Sequence, residues 1–223
     1  MDLSKALAEE GVHKGLIPGP VGVLEVVVDR PVGADMRYLA VLGHPHSLQG
    51  GTMDNKVVTT MAKVFRELSI ASIRFNFRGV GRSEGVYDDG VGECDDMLHL
   101  LRLCDRKDLT VIFAGFSFGS YVAFRALAQY QREYAHSTTL ITIAPPVHHY
   151  DYSLPLDPQT PWIVVQGDND EVVPVADVLA FVKQRIPSPH LEYFTETGHF
   201  FHGKLLELRT RMIACVQQWI VPQ

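Results

Sequence analysis

The segment Thr110-Val-Ile-Phe-Ala-Gly-Phe-Ser-Phe-Gly-Ser120 decides how the rest of the chain is interpreted. Its first half is a continuous apolar run, which is typical of a strand buried on both faces in a parallel sheet. Its second half has a serine with glycine two positions before and two positions after it, and a helix-forming run follows to Ala128. A buried strand that turns sharply into a helix at a serine is the setting of a nucleophile elbow. The segment therefore predicts Ser117 as a catalytic nucleophile, with a helix N-cap as the alternative role.

The same Gly-x-Ser-x-Gly pattern occurs a second time around Ser83, between Gly81 and Gly85. No buried strand leads directly into this serine and no helix-forming run follows it, so we interpret the segment as a loop across the top of a sheet. The segment 79–85 is also a near miss to a dinucleotide fingerprint, because its last glycine comes one residue too late. The context therefore favours Ser117 over Ser83.

Apolar strands and amphipathic helices alternate along the chain. Strands are predicted at residues 23–28, 39–42, 71–77, 110–114, 139–143, 162–166 and 191–194. Helices are predicted at residues 54–68, 93–104, 117–133, 175–185 and 203–220, the last with Leu205, Leu208, Met212, Val216 and Trp219 facing inward. This alternation predicts an α/β protein with a doubly wound, mostly parallel sheet of about seven or eight strands flanked by helices. We expect one domain over residues 1–223, because the longest aperiodic segment, residues 145–161, is too short for a large cap.

A serine hydroxyl needs a base to take its proton, and that base needs a third group to fix its tautomer. Asp170 follows the apolar strand 162–166 and precedes Val-Val-Pro174, so it is the candidate acid, with Asp168 as a competing turn residue. His199 follows the last predicted strand and a turn glycine, so it is the candidate base, with His202 as the alternative. The order serine, aspartate, histidine matches the order expected after a nucleophile elbow.

Two backbone N–H groups are candidates for an oxyanion hole. Phe118, directly after the nucleophile, would supply one, and His46, in the loop after an early strand, would supply the other because Pro45 has no N–H. A zinc site is the alternative interpretation of His44 and His46 together with a histidine pair at residues 148–149. No carboxylate or cysteine accompanies these histidines at ligand spacing, so we expect no metal and no other cofactor.

Composition excludes several classes of protein. Of the 223 residues, 46% are hydrophobic and 21% charged, and the formal net charge is -6, so a basic surface for nucleic acid or an anionic membrane is not expected. The first ten residues contain acidic side chains and do not form a secretory signal. Three scattered cysteines in segments that resemble helices favour reduced thiols and a cytoplasmic location. The oligomeric state is left open.

The chain resembles the α/β-hydrolase superfamily along most of its length, and is most similar to small cap-less bacterial hydrolases related to the dienelactone hydrolase and esterase branches. The segments that carry this resemblance are His44-Pro-His46, Gly50-Gly-Thr-Met-Asp-Asn-Lys-Val57, Phe75-Asn-Phe-Arg-Gly-Val-Gly-Arg-Ser-Glu-Gly85 and Gly115-Phe-Ser-Phe-Gly119. In these relatives a proline often follows the second histidine, whereas Ser47 occupies that position here. Dienelactone hydrolases use a cysteine nucleophile, so a serine at residue 117 implies esters or thioesters instead.

These observations predict a serine hydrolase that cleaves a small or short-acyl carboxylic ester through an acyl-enzyme on Ser117. The expected walls of the substrate pocket are Leu48, Phe116, Tyr150 and Phe200, and the cleft should be shallow. Thioesterase or peptidase activity on the same triad stays open, as does a non-catalytic binding module with the same fold. The expected partner is a small-molecule ester, with no nucleic acid and no membrane.

Overall fold

Strands and helices alternate along the chain, as the sequence patterns predict. The computed structural model describes residues 1–104 and 108–220, and these residues form eight strands and six helices. The strands are β1 (Gly11–Gly19), β2 (Gly22–Arg30), β3 (Tyr38–Gly43), β4 (Ala71–Phe75), β5 (Thr110–Phe116), β6 (Thr138–Ile143), β7 (Trp162–Gly167) and β8 (His190–Phe194). The helices are α1 (Leu3–Ala8), α2 (Lys56–Glu67), α3 (Val91–Arg102), α4 (Phe118–Glu133), α5 (Val175–Gln184) and α6 (Leu205–Trp219).

The strands form one sheet in the order β1-β2-β4-β3-β5-β6-β7-β8. The two pairings that involve β2 are antiparallel, and the five pairings from β4 to β8 are parallel. The central strands β5, β6 and β7 are buried along almost their whole length, which is why β5 and most of β7 are continuous apolar runs, whereas β6 combines apolar residues with three threonines. The predicted mostly parallel sheet is confirmed.

Helices cover both faces of this sheet. One face packs against α3, α4 and α5 through buried side chains such as Met97, Phe124 and Val178. The other face packs against α2 and α6 through residues such as Phe65 and Met212. The chain is therefore doubly wound, with one apolar core on each side of the sheet. Among the helices of the described residues, none combines the length and apolar character required to cross a membrane.

The strand order reverses at β3, because the chain places β4 on one side of it and β5 on the other. In open α/β sheets, ligands bind outside the carboxyl ends of the strands at such a switch point. The carboxyl ends of β3 and β5 are paired at Gly43 and Gly115. The loops that follow these two glycines carry His46 and Ser117, so the topology brings both residues to the switch point.

The first two elements, α1 and β1, were not predicted from the sequence. β1 contains glycines at residues 11, 15 and 19 and a proline at residue 18, which are more typical of loops than of strands. β1 lies at the edge of the sheet and pairs only with β2, in a hairpin closed by Pro20 and Val21. An edge strand tolerates a proline because one of its sides needs no ladder partner.

Three predicted details of the other elements are wrong. β4 ends at Phe75 rather than at residue 77, because the N–H of Phe77 donates to Nε2 of His44 (2.9 Å) instead of to a strand. α3 ends at Arg102, so Cys104 lies just beyond it with its thiol bonded to the Leu100 carbonyl (3.1 Å). Trp219 is 45% exposed, because it is the last residue of α6 and extends beyond the core.

Candidate active site

The turn between β5 and α4 has the backbone of a nucleophile elbow. Ser117 has a φ of 54° and a ψ of -124°, a conformation that few residues other than glycine adopt. A Cβ atom on Gly115 would overlap the backbone of Gly119, and one on Gly119 would overlap the backbone of Gly43. The glycines of the pentapeptide are therefore required by the close approach of β3, β5 and α4.

Ser117 occupies the N-cap position of α4 but does not act as a cap. Its side chain makes no capping hydrogen bond with the helix, and its Oγ lies 3.1 Å from Nε2 of His199. Ser117 is 9% exposed, so the hydroxyl is nearly buried but not sealed off from solvent. The N-cap alternative thus does not account for the orientation of this side chain.

His199 links Ser117 to Asp170. Nδ1 of His199 lies 2.9 Å from Oδ2 and 3.1 Å from Oδ1 of the Asp170 carboxylate. Because an ionised carboxylate can only accept, the imidazole proton belongs on Nδ1, which leaves the lone pair of Nε2 facing the serine hydroxyl. The structure thus joins Ser117, His199 and Asp170 in one chain of hydrogen bonds, with the acceptor that a general base requires at its centre.

The two competing candidates lie elsewhere. Oδ1 of Asp168 accepts from the N–H of Thr197 (3.1 Å), so this carboxylate holds the loop that precedes His199 and not the imidazole itself. His202 is exposed, and its ring stacks on Phe200 with centroids 5.9 Å apart. The sequence preference for Asp170 and His199 agrees with this geometry.

Asp170 is fixed in its ionised form. Its side chain is completely buried, and burial alone would raise the pKa of the carboxyl. The hydrogen bonds from His199 and from the N–H groups of Val172 and Val173 outweigh burial, and they hold the pKa of Asp170 below its usual value. The apolar pair that follows Asp170 in the sequence thus supplies two backbone donors to the triad acid.

Phe116 and Glu171 also hold His199 in place, the first through the imidazole ring and the second through the backbone. The Phe116 ring lies under it at 4.9 Å, and the N–H of His199 donates to Oε2 of Glu171 (3.0 Å). Phe116 was predicted as a pocket wall, but it is fully buried and cannot contact a substrate. Its position at the end of β5 makes it a support for the base. Glu171 was missed, although it directly follows the candidate acid in the sequence.

The two N–H groups proposed for the oxyanion hole lie at the switch point. Phe118 is the first residue of α4, where helical N–H groups have no partner within the helix. Among the described residues, the N–H groups of Phe118 and His46 have no protein acceptor. The rings of these two residues lie 5.1 Å apart. Both N–H groups are thus without a protein acceptor in this part of the chain, and their role in an oxyanion hole stays a prediction.

The side chain of His46 is fixed by neighbours that the sequence analysis did not single out. Its Nδ1 accepts from the N–H of Leu48 (3.3 Å), so Nε2 carries the proton and donates to the hydroxyl of Tyr87 (3.2 Å). The Tyr87 hydroxyl in turn donates to Oδ1 of Asp89 (2.8 Å). This chain of hydrogen bonds ties the loop after β3 to the loop after β4.

His44 is a structural residue rather than a metal ligand. Its Nδ1 donates to the Pro45 carbonyl (2.7 Å) and its Nε2 accepts from the N–H of Phe77 (2.9 Å), so both ring nitrogens are occupied. Desolvation lowers the pKa of His44 to about 4, which keeps the ring neutral.

Potential metal ligands do converge at one other place in the described chain. His190, Glu192 and Cys215 are close enough together to share an ion. The guanidinium of Arg211 already lies against Glu192, with Nη2 2.5 Å from Oε2. Oε2 of this carboxylate is thus paired with a cationic side chain, while Oε1 lies 2.7 Å from Nε2 of His190.

Ser83 has a structural role. It is buried, its hydroxyl donates to the Asn76 carbonyl (2.7 Å), and its Oγ accepts from the N–H of Glu25 (2.9 Å). These bonds attach the loop after β4 to β2. The prediction that this second pentapeptide forms a loop agrees with the structure, because its serine has backbone partners and no histidine.

The remaining predicted pocket residues lie at the surface around Ser117. Leu48 is 73% exposed and Phe200 is 40% exposed, with the Phe200 ring 5.0 Å from the ring of His199. Tyr150 is half-buried, stacks on Tyr121 at 4.4 Å and lies 5.6 Å from the ring of Phe118. Phe200 and Tyr150 thus lie beside groups of the site, whereas Leu48 is exposed in the loop that carries His46, and the role of all three as pocket walls stays a prediction.

A cavity lies at the opposite end of the sheet. It has a volume of about 330 Å³ and is lined by residues at the amino ends of the strands, such as Tyr38 and Leu109. Catalytic groups in this fold class lie at the carboxyl ends, so the cavity volume does not indicate the reaction site.

Comparisons with known proteins agree with this architecture. No protein-family model matches the chain. An uncharacterized protein of Rickettsia prowazekii (strain Madrid E) is 37% identical over 172 residues, which are 74% of this chain and 70% of that protein. A crystal structure from Xanthomonas campestris, described as an α/β serine hydrolase without a lid, is 39% identical, with a TM-score of 0.88 over 96% of this chain and 98% of that one. An α/β serine hydrolase homologue from Coxiella burnetii is 45% identical, with a TM-score of 0.83 over 92% of this chain and 97% of that one.

Proposed function

The chain belongs to the α/β serine hydrolase family, and on this premise we propose that it cleaves a carboxylic ester with a small or short acyl group, through an acyl-enzyme on Ser117. The observation that carries the proposal is the chain of hydrogen bonds at the elbow. Ser117 Oγ lies 3.1 Å from Nε2 of His199, and Nδ1 of that ring lies 2.9 Å from Oδ2 of Asp170. These are the contacts that a serine nucleophile, its base and the orienting acid require.

In the first half of the reaction, Oγ of Ser117 attacks the carbonyl carbon of the ester while Nε2 of His199 takes the hydroxyl proton. His199 then gives this proton to the oxygen of the leaving alcohol, and the bond between the acyl carbon and that oxygen breaks. In the second half, a water molecule attacks the acyl-enzyme, with His199 accepting its proton and returning it to Ser117. The carboxylic acid is released and the enzyme is restored.

Charge develops on the carbonyl oxygen in both halves. We assign the N–H groups of Phe118 and His46 as its donors, since they lie beside the nucleophile and have no protein acceptor among the described residues. The removal of one such donor typically lowers the rate about 10²- to 10³-fold. Because both groups belong to the backbone, this part of the site is not accessible to simple side-chain substitution.

The preference for short acyl groups rests on the exposure of the predicted apolar pocket walls. Leu48 and Phe200 are themselves exposed, so a long acyl chain laid across them would keep much of its surface in water. A methylene that becomes buried contributes about 0.8 kcal/mol, or about fourfold in affinity. A series of p-nitrophenyl esters from acetate upward should therefore show no such gain per methylene. A steady fourfold rise in kcat/KM with each added methylene would contradict this preference.

Covalent labelling tests the proposed nucleophile directly. A fluorophosphonate probe should label the wild-type protein, and Ser117→Ala should abolish both the labelling and the hydrolysis of p-nitrophenyl acetate. Ser83→Ala is the matched control, because Ser83 lies in the same sequence pattern but bonds only to backbone groups, and it should keep both activities. Full hydrolysis by Ser117→Ala, or an unlabelled wild-type protein, would refute the proposal and leave a non-catalytic binding module as the alternative.

Rates on matched oxygen ester, thioester and anilide probes then determine the substrate class. The proposal expects the oxygen ester to react with the highest kcat/KM relative to its spontaneous hydrolysis. A higher relative rate for the thioester or the anilide would reassign the protein to the thioesterases or the peptidases on the same triad.

The cysteines support a cytoplasmic location, which we include in the proposal. Cys94, Cys104 and Cys215 are buried free thiols, and burial raises the pKa of each to about 12. Such thiols are unreactive packing residues and fit a protein that does not depend on disulfides.

A further inference from the structure

One buried polar side chain interrupts the apolar sequence of β7. The strand runs Trp162-Ile-Val-Val165 and then places Gln166 next to its last residue, with the amide fully buried. An amide removed from water destabilises the fold unless hydrogen bonds compensate for the lost solvation. An apolar side chain would be the expected residue at this position of a buried strand.

The hydrogen bonds of Gln166 involve its donor side alone. Nε2 donates to Oδ2 of Asp170 (3.1 Å) and to the carbonyl of Gly167 (3.1 Å). Both partners can only accept, so the opposite orientation of the amide would place Oε1 against two acceptors. Oε1 itself is buried and has no protein hydrogen-bond partner within residues 1–104 and 108–220. The fold thus keeps the Nε2 donor of Gln166 beside Asp170, although Oε1 of the same amide has no hydrogen-bond donor.

The donor lies where it can select one orientation of the triad carboxylate. Oδ1 of Asp170 is held by the N–H groups of Val172 (2.9 Å) and Val173 (2.7 Å), and it also lies 3.1 Å from Nδ1 of His199, slightly farther than Oδ2. Oδ2 is held by Gln166 and by Nδ1 of His199 (2.9 Å). With Oδ1 fixed from one side, a donor on Oδ2 determines the rotation of the carboxylate plane. That rotation directs Oδ2 at the imidazole.

We propose that Gln166 is a positioning residue, whose amide fixes the Asp170 carboxylate so that Oδ2 faces Nδ1 of His199. Its catalytic consequence rests on the proposed function, whereas the hydrogen bond that it controls does not. A merely structural role fits the geometry less well, because an apolar residue of similar shape would fill the same space without an unsatisfied buried acceptor.

Gln166→Met tests the proposal, because methionine keeps the approximate shape and removes both the donor and the unsatisfied acceptor. We expect kcat on p-nitrophenyl acetate to fall about 10- to 100-fold, the effect of one hydrogen bond to a charged group, with KM unchanged. The melting temperature should stay the same or rise. Gln166→Glu, which replaces the donor by a second carboxyl group, should lower kcat at least as much.

Thr142→Val is the matched control from the neighbouring strand β6. Thr142 is also fully buried in the same sheet, but its hydroxyl accepts from the indole N–H of Trp162 (3.0 Å) and has no contact with the triad. The control should show the reverse pattern, with a lower melting temperature because the indole loses its acceptor, and an unchanged kcat.

Proton NMR gives a measurement that needs no turnover. The Nδ1 proton of His199 should resonate far downfield in the wild type, and this resonance should move in Gln166→Met but not in Thr142→Val. An unmoved resonance with unchanged kcat would overturn the proposal, as would a loss of kcat that only matches a loss of folded protein. If the wild type cleaves no ester while the resonance still moves in Gln166→Met, the proposed function fails and the positioning role stands.

Discussion

Asp170→Asn changes the triad without changing its shape, and the hydrogen bonds around the carboxylate determine the result. Oδ1 accepts from the N–H groups of Val172 and Val173, so the amide oxygen of the new side chain is held at that position. Its NH₂ group must then replace Oδ2. There it faces Nδ1 of His199 (2.9 Å) and Nε2 of Gln166 (3.1 Å), which are both donors in the wild type.

The imidazole can relieve this conflict by moving its proton from Nδ1 to Nε2. Nδ1 then accepts from the asparagine, but Nε2 presents an N–H to Ser117 and cannot take the hydroxyl proton. A serine triad with the wrong imidazole tautomer loses about 10⁴-fold in kcat. This loss corresponds to about 5.4 kcal/mol in the activation free energy. The Gln166 donor stays opposed to the new NH₂ group, so we also expect about 1–3 kcal/mol less stability against unfolding.

Steady-state hydrolysis of p-nitrophenyl acetate measures the kinetic effect, and urea unfolding at the same pH measures the stability. Asp168→Asn is the control, because Asp168 lies in the same loop but accepts only from the N–H of Thr197 (3.1 Å). We expect this variant to keep kcat within about threefold, since an amide oxygen can replace the lost acceptor. The tautomer argument would be refuted by an Asp170→Asn variant with near wild-type kcat, or by equal losses in both variants.

Three further predictions concern other parts of the structure. Burial lowers the pKa of His44 to about 4, so the neutral imidazole contributes its full stability above pH 6.5, and this contribution is lost as the pH falls toward 4. The free energy of unfolding in urea should therefore be about 2 kcal/mol higher at pH 7 than at pH 5, and this difference should be absent in His44→Gln. Gly119→Ala should yield little folded protein in a solubility and circular dichroism assay, because its Cβ would overlap the backbone of Gly43; normal folding would contradict the close approach. Tyr87→Phe removes the hydrogen bonds of the Tyr87 hydroxyl to His46 and Asp89. It should lower kcat about fivefold, which corresponds to about 1 kcal/mol in activation free energy, with KM unchanged. An unchanged kcat would show that the hydrogen bond from Tyr87 is not needed to hold the ring of His46.

The parts of the fold that the sequence predicts are those in which one physical requirement dominates. A strand buried on both faces is rich in apolar and β-branched residues, so β5, β6 and β7 could be located within one or two residues. The candidate triad could be found because its side chains follow strand ends in a fixed order along the chain. β1 could not be recognised, because an edge strand need not be apolar and this one precedes no triad residue. Its glycines and proline resemble those of a loop.

Residues that act through a neighbour were missed for a different reason. Gln166 and Tyr87 are ordinary polar residues in the sequence, and only the folded chain shows that Gln166 donates to Asp170 and that Tyr87 accepts from His46. Phe116 was assigned to the pocket because it adjoins the nucleophile, but alternation along β5 turns its ring inward, under His199. Adjacency along the chain does not reveal on which side of a strand a residue lies unless the register is known.

The two Gly-x-Ser-x-Gly segments differ in how the surrounding structure holds their serines. The N–H of Ser117 donates to the Ile143 carbonyl at the end of β6 (2.8 Å), so the serine is held by the parallel sheet while its φ stays at 54°. A non-glycine residue in this conformation is strained by about 1–3 kcal/mol, and it persists only where the surroundings fix it. Ser83 has no such frame, and its hydroxyl bonds to backbone groups of its own loop and of β2. The buried strands on either side of β5, rather than the five residues of the pattern, therefore keep the hydroxyl of Ser117 directed at His199.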